Sequence, residues 1–240
     1  MTDNSIKNQN SESPEYIGAL KSKKCIIFDL DGTLVNTIDD LGIACDILLE
    51  KAGRPLKWSV DDYKGFVGNG AKLLVKRAFE NTLTDEELEY QYSLFKKEYN
   101  RIKLDHAHIY PDILETVKFL KDKGKILVVC TNKPDAAAKG MISTLFGENV
   151  FDAVQGALDD VPKKPDPTAA QNILKSFAIN SEDCVWIGDS DVDIKTAKNL
   201  GCVSIGVLWG FRSKEILEIS GADYIIDEPK KIQTFFLKSY

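Results

Sequence analysis

Short apolar runs alternate with longer stretches of mixed character along most of this chain. KCIIF (Lys24 to Phe28), KILVVC (Lys125 to Cys130), VFDAV (Val150 to Val154), CVWIG (Cys184 to Gly188), CVSIGV (Cys202 to Val207) and DYIID (Asp223 to Asp227) are rich in Val and Ile and do not alternate apolar with polar. Runs of that kind read as parallel strands buried on both faces. The later runs are separated by intervals long enough for a crossover helix, which is the βαβ rhythm of an α/β fold with an open, doubly wound parallel sheet.

The interval between the first two runs breaks this rhythm and carries no strand signal. Ser59-Val60-Asp61-Asp62 and Thr84-Asp85-Glu86-Glu87 look like helix starts, the second a capping box. Leu88, Tyr92, Phe95, Tyr99 and Ile102 then recur at intervals of four, three, four and three, one face of an amphipathic helix whose aromatics read as core. Residues 37–106 are therefore expected to form a small all-helical domain inserted after the first strand. It would lie over the carboxyl end of the sheet, where open α/β folds keep their sites, with 21–36 and 107–240 forming a Rossmann-like core. Residues 1–20, rich in Asn, Ser and charge, read as a flexible extension.

Composition narrows the field. With 43% apolar residues in 240 the chain can bury a core, and 31 Lys and Arg against 37 Asp and Glu give a net charge of -6. That balance argues against a nucleic-acid partner held by phosphate neutralisation. No run is long and apolar enough to span a membrane, and the polar N-terminus lacks the apolar core of a secretory signal. The 5 Cys show no CxxC spacing and read as reduced, buried small hydrophobes rather than zinc ligands or disulfides. A cytoplasmic protein, monomer or homodimer, is the expectation.

Candidate chemistry collects at the ends of the runs. The first leads into DLDGTLVNT, where Asp29 and Asp31 emerge together from a buried strand just before Gly32. A helix cap and a turn would account for one Asp and the Gly, but not for two carboxylates. CVWIG leads likewise into GDSDVDIKTAKNLG, with Asp189 at the strand end and Asp193 on the opening turn of a helix. If those strands are neighbours, four carboxylates crowd one crevice, and each pair at 4 Å repels by about 4 kcal/mol even at an effective dielectric of about 20. They need a cation, and oxygen-only ligands suggest Mg²⁺. KILVVC runs into Thr131-Asn132-Lys133-Pro134, whose hydroxyl, amide and following helix N-terminus suit a phosphate; taken alone, Thr131 also reads as the cap of a helix beginning at Pro134. VPKKPDP places Lys164 before a Pro-rigidified turn.

These four stretches, in this order, resemble the haloacid dehalogenase superfamily of phosphatases across about residues 23 to 237. Within it, Ile109 to Pro134, Phe66 to Phe79 and Gly206 to Ser213 resemble the phosphoglycolate phosphatase subfamily with its helical cap. The resemblance implies that Asp29 is the nucleophile, forming an aspartyl-phosphate, and Asp31 the general acid and then base. It implies that Thr131 and Lys164 hold phosphoryl oxygens, with Gly32 and Asn132 beside them. Asp29, Asp31 through its backbone carbonyl, and Asp189 would bind Mg²⁺, with Asp193 in support. The substrate would be a small phosphorylated metabolite such as 2-phosphoglycolate, chosen by the cap, whose GNGAKLLVKRA stretch brings Asn69, Lys72 and Arg77 to face the site; Lys72 and Arg77 read equally as solvated charges. His106 and His108 read as surface residues near the return to the core. A β-phosphoglucomutase-like phosphoryl transferase or a pyrophosphatase would share the core residues. Asp31 argues against a dehalogenase, and the helical insertion against a non-catalytic receiver-like module.

Overall fold

Each of the six apolar runs contributes a strand to one parallel sheet in the computed structural model, which describes residues 18–237. Those strands are β1 (Cys25–Phe28), β4 (Ile126–Pro134), β5 (Ala153–Ala157), β6 (Cys184–Gly188), β7 (Val203–Val207) and β8 (Tyr224–Ile226), in the order β5-β4-β1-β6-β7-β8. The chain leaves β1 to build first on one side of it and then on the other, so the point where strand order reverses lies at β1.

Successive residues of the central strands point to opposite faces. Ile26, Phe28, Leu127, Val129, Val185 and Ile187 share one apolar cluster with α5 (Ile113–Asp122) and α6 (Asp135–Phe146). Cys25, Ile27, Val128, Cys184 and Trp186 meet α7 (Thr168–Ser176) and α8 (Asp191–Leu200) on the other side. Burial on both faces is why these runs are continuously apolar. All five cysteines are free; four are buried and Cys202 is half-buried.

Three details differ from the sequence reading. The β5 strand begins later than Val150, because Phe151 turns inward to pack edge-on against Phe28 and Phe146, and the Asp152 carboxylate accepts the Leu127 N–H instead. The β4 strand runs past Cys130 to Pro134, after a shift in register. Gly156 on β5 permits this approach, since a Cβ there would lie 2.4 Å from the Asp135 Cα. The interval after β1 does contain strand: β2 (Val35–Asn36) pairs antiparallel with β3 (His108–Ile109), a ladder too short for hydrophobic alternation to show.

Between these two short strands lie α1 (Ile38–Lys51), α2 (Val60–Phe66), α3 (Ala71–Ala78) and α4 (Asp85–Ile102). They share their own core of Leu41, Cys45, Leu48, Tyr63, Leu74, Val75, Phe95 and Tyr99. Both α2 and α4 start in capping boxes, Ser59 with Asp62 and Thr84 with Glu87. The first uses Asp where the usual pattern has Glu or Gln, which hides it from a pattern search. At the root of the unit the buried Asp40 carboxylate accepts the backbone N–H groups of His106 and Ala107 and contacts the His106 ring. At the other end of the chain, Leu20 is buried and the Gly18 and Leu20 N–H groups bond the Thr234 and Phe235 carbonyls. Packing thus reaches back into the expected extension, of which residues 1–17 lie outside the described residues.

Candidate active site

Parallel register brings the strand ends together. Phe28 pairs with Val129 of β4 and Ile187 of β6, so the residues that follow emerge at one level. Asp29 and Asp189 are buried there. Gly32, at φ 85°, lies so close to Asp189 that a Cβ would sit 2.4 Å from its Oδ2. A side chain at this position would drive the carboxylate away, which gives the Gly of DLDGT a steric reason.

Two lysines enter this acidic crevice. Lys164 Nζ lies 2.7 Å from Asp193 Oδ1 and 2.9 Å from Asp29 Oδ1, with its side chain 3% exposed. The contact with Asp29 lacks hydrogen-bond alignment, so Asp29 Oδ1 is buried without a donor. Lys133, which the sequence reading left without a role, places Nζ 2.8 Å from Asp31 Oδ1 and 2.7 Å from the Tyr99 hydroxyl. Thr37 Oγ1 donates to the same Asp31 oxygen at 2.8 Å. Four carboxylates face two ammonium groups, leaving two negative charges for a divalent cation to balance.

The donor set fits such an ion. Asp29, Asp189 and Asp193 each bring a carboxylate oxygen within 4.8 Å of the others, and the buried Asp29 Oδ1, though paired in charge with Lys164, accepts no aligned hydrogen bond. Asp189 is steered by Thr33 Oγ1 at 3.1 Å and by the Phe211 N–H at 2.8 Å. Asp193 already accepts from Lys164 and Trp186 on one oxygen and from the Ser190 N–H and hydroxyl on the other. It therefore holds Lys164 and the turn after β6 from behind.

Without a cation, burial and then the Asp193 charge push the Asp29 carboxyl up to about 7, against the pull of Lys164. Burial, followed by Asp193 and Asp29, pushes Asp189 up to about 8. The unfolded chain releases these protons near about pH 4, so between that pH and the raised values the folded state binds more protons and stability falls as pH rises. The melting temperature of EDTA-treated protein is expected to drop from about pH 5 to about pH 8, and Mg²⁺ to raise it more at the higher pH. A flat or rising profile in EDTA would contradict the buried-carboxylate geometry.

Thr131 is buried on the cavity wall, and its hydroxyl accepts the Lys133 N–H at 3.3 Å. It does not cap α6, which starts at Asp135 without a side-chain cap. Asn132 bonds backbone: its amide reaches the Gly68 and Lys164 carbonyls at 3.0 and 3.1 Å and accepts the Lys164 N–H at 2.9 Å. It thereby fixes the Lys164 loop.

The four-helix unit covers this floor and encloses a cavity of about 230 Å³, walled by Leu41, Val67, Leu74, Tyr92, Phe95 and Tyr99 above Asp29, Asp31 and Asp189. Arg77 and Asn69, expected to meet substrate, are not part of its wall. Arg77 donates to the Phe66 carbonyl at 2.7 Å and to Asn69 Oδ1 at 3.0 Å, tying the loop between α2 and α3. Lys72 pairs with Glu89. The cations on the wall besides Lys133 are Lys96, Lys103 and Arg212. Arg212, from the turn after β7, donates to the Lys64 and Val67 carbonyls and so pins the helical unit to the core. The Tyr99 face of α4, read as core alone, is both core and wall.

The sequence profile of the haloacid dehalogenase-like hydrolases matches residues 26–207. A phosphoglycolate phosphatase of Pseudomonas savastanoi pv. phaseolicola is 32% identical over 224 residues, covering 91% of this chain and 81% of that protein. One from Vibrio cholerae is 34% identical over 215 residues, covering 87% and 95%. The solved structure of a candidate phosphoglycolate phosphatase from Lactobacillus delbrueckii subsp. bulgaricus matches with a TM-score of 0.85 at 31% identity, over 91% of this chain and 100% of that one. This chain belongs to the haloacid dehalogenase-like hydrolase family. Within that family it is a phosphatase. Among the described residues no helix is long and apolar enough to cross a membrane.

Proposed function

We propose that the protein hydrolyses a small phosphomonoester, 2-phosphoglycolate foremost, in two steps through an aspartyl-phosphate on Asp29. The observation that carries this reading is the placement of Asp29 on the cavity floor, with Asp31 two residues on and Lys164 2.9 Å from its carboxylate. Asp29 attacks phosphorus while Asp31 gives its proton to the departing alkoxide; Asp31 then takes a proton from the water that attacks the aspartyl-phosphate. Lys164 and the Thr131 hydroxyl face the phosphoryl oxygens. Asp29, Asp189 and the Asp31 backbone carbonyl would hold Mg²⁺, which when bound supplies charge neutralisation at the phosphoryl group. Asp193 keeps Lys164 in place.

Magnitudes require this division of labour. Phosphate monoester hydrolysis calls for acceleration up to about 10²¹-fold, roughly 29 kcal/mol, of which positioning supplies about 7 to 11. Covalent splitting, acid catalysis and charge neutralisation must share the rest.

Residues 37–106 act in this reading as a cap that selects the leaving group. Lys96 of α4 and Lys103, just past its end, are the wall cations that form no ion pair among the described residues, so a substrate carboxylate would meet them rather than Arg77. The names of the curated relatives support 2-phosphoglycolate. A cytoplasmic monomer or homodimer acting on soluble metabolites suits the composition. With Mg²⁺ present, kcat/KM is expected to be highest for 2-phosphoglycolate in a panel containing pyrophosphate, sugar phosphates and nucleotides, with one phosphate released per ester consumed. A tenfold preference for another compound, or isomerised product in place of free phosphate, would remove the assignment.

A further inference from the structure

The contact between Lys133 and Asp31 reaches beyond the core. Lys133 stands at the end of β4 with its side chain 3% exposed. Its ammonium group lies 2.7 Å from the Tyr99 hydroxyl and 4.8 Å from the centre of that ring. Tyr99 belongs to α4, stacks on Phe95 and is buried in the core of the helical unit, so its position is fixed by that unit. One ammonium group thus joins a carboxylate of the catalytic floor to a side chain packed inside the insertion.

Both donors to Asp31, Lys133 Nζ and Thr37 Oγ1, converge on Oδ1 at 2.8 Å. Among the described residues Oδ2 accepts no donor, and Asp31 lines the cavity. We infer that Lys133, tethered by Tyr99, is a positioning residue for proton transfer: it holds Asp31 by Oδ1 so that Oδ2 is the oxygen that carries the proton. This rests on the proposed two-step hydrolysis. In the first step the Oδ2–H proton passes to the leaving oxygen as its bond to phosphorus breaks and the Asp29–phosphorus bond forms. In the second, Oδ2 takes a proton from water as the water oxygen bonds phosphorus and Asp29 is released. The α4 helix then does more than shape the cavity, because it sets the direction in which the acid–base group points.

Leaving groups separate this from a merely structural ion pair. p-Nitrophenolate departs without protonation, whereas an alkoxide such as glycolate does not, and the water-attack step is common to both substrates. Lys133→Met and Tyr99→Phe are to be compared with wild type by stopped flow and single turnover with Mg²⁺, using p-nitrophenyl phosphate and 2-phosphoglycolate. For Lys133→Met the expected result is a burst approaching one p-nitrophenolate per enzyme at near wild-type rate. A steady state lowered by about 10²- to 10⁴-fold follows, together with a similarly slowed single turnover of 2-phosphoglycolate. Tyr99→Phe should show the same pattern with about a tenfold loss. Burst and steady state slowed by one factor, or wild-type kinetics in both variants, would overturn the inference. If Lys133→Met fails to fold by circular dichroism, Tyr99→Phe alone decides on the same criteria. Wild-type protein that turns over neither ester fails the proposed hydrolysis itself, a different outcome from an active wild type with insensitive variants.

Discussion

Replacing Asp29 with Asn is expected to lower kcat by on the order of 10⁴- to 10⁶-fold for every phosphomonoester, the range found when single members of a covalent catalytic unit are removed. The amide keeps the shape of the carboxylate and cannot form the acyl-phosphate bond. Stability should move the other way. Burial and the Asp193 charge already hold the Asp29 carboxyl up to about 7, so removing its charge relieves repulsion in the metal-free protein. Thermal melts in EDTA at about pH 8 should therefore show a variant at least as stable as wild type. Activity lost with stability kept would mark a chemical role; activity near about one part in a hundred would be too much for a nucleophile.

Lys164→Ala and Lys163→Ala are expected to differ sharply although the positions adjoin. Lys164 is buried between Asp29 and Asp193 at 2.9 and 2.7 Å. Its removal leaves two buried carboxylates without their cation, a change that costs about 3 to 5 kcal/mol in comparable buried pairs. It also removes the charge proposed to face the phosphoryl group, worth about 10²- to 10³-fold in rate by analogy with lost transition-state donors. Lys163 is exposed, and its loss should stay within about 0.5 kcal/mol with kcat/KM nearly unchanged. Melting curves and kcat/KM for the two variants side by side check both halves. Equal losses would mean that the buried cation is not what the site depends on.

Parts of this site were legible because they depend on local pattern. A strand buried on both faces must be continuously apolar, so the points where CIIF meets Asp29 and CVWIG meets Asp189 stand out in the sequence. Neighbouring strand ends then place the carboxylates together. The helical nature of 38–102 was legible for a similar reason, since capping signals and a four-three periodicity act within a few residues.

Other parts were not legible, and Arg77 shows why. Its position after GNGAKLLVK suggested a cap cation facing substrate, yet its guanidinium meets the Phe66 carbonyl and Asn69. Arg212, far along the chain, reaches the cavity wall in its stead. A long side chain has many directions open to it, and only packing chooses among them. Lys133 sat inside a tetrapeptide already singled out. Its signal was a charged residue at the end of an apolar run, the same signal that exposed Asp29, but its partners Asp31 and Tyr99 lie in other elements.

The sequence by itself determined the doubly wound sheet, the helical insertion and the residue types at each strand end, because backbone periodicity and strand burial are local properties of the chain. Tertiary structure alone decided which oxygen of Asp31 is held, that Asp193 stands behind Lys164, and which cations border the cavity. Those outcomes turn on distances of a few ångströms between elements remote in sequence, set by how α4 and the turn after β7 come to rest against the sheet.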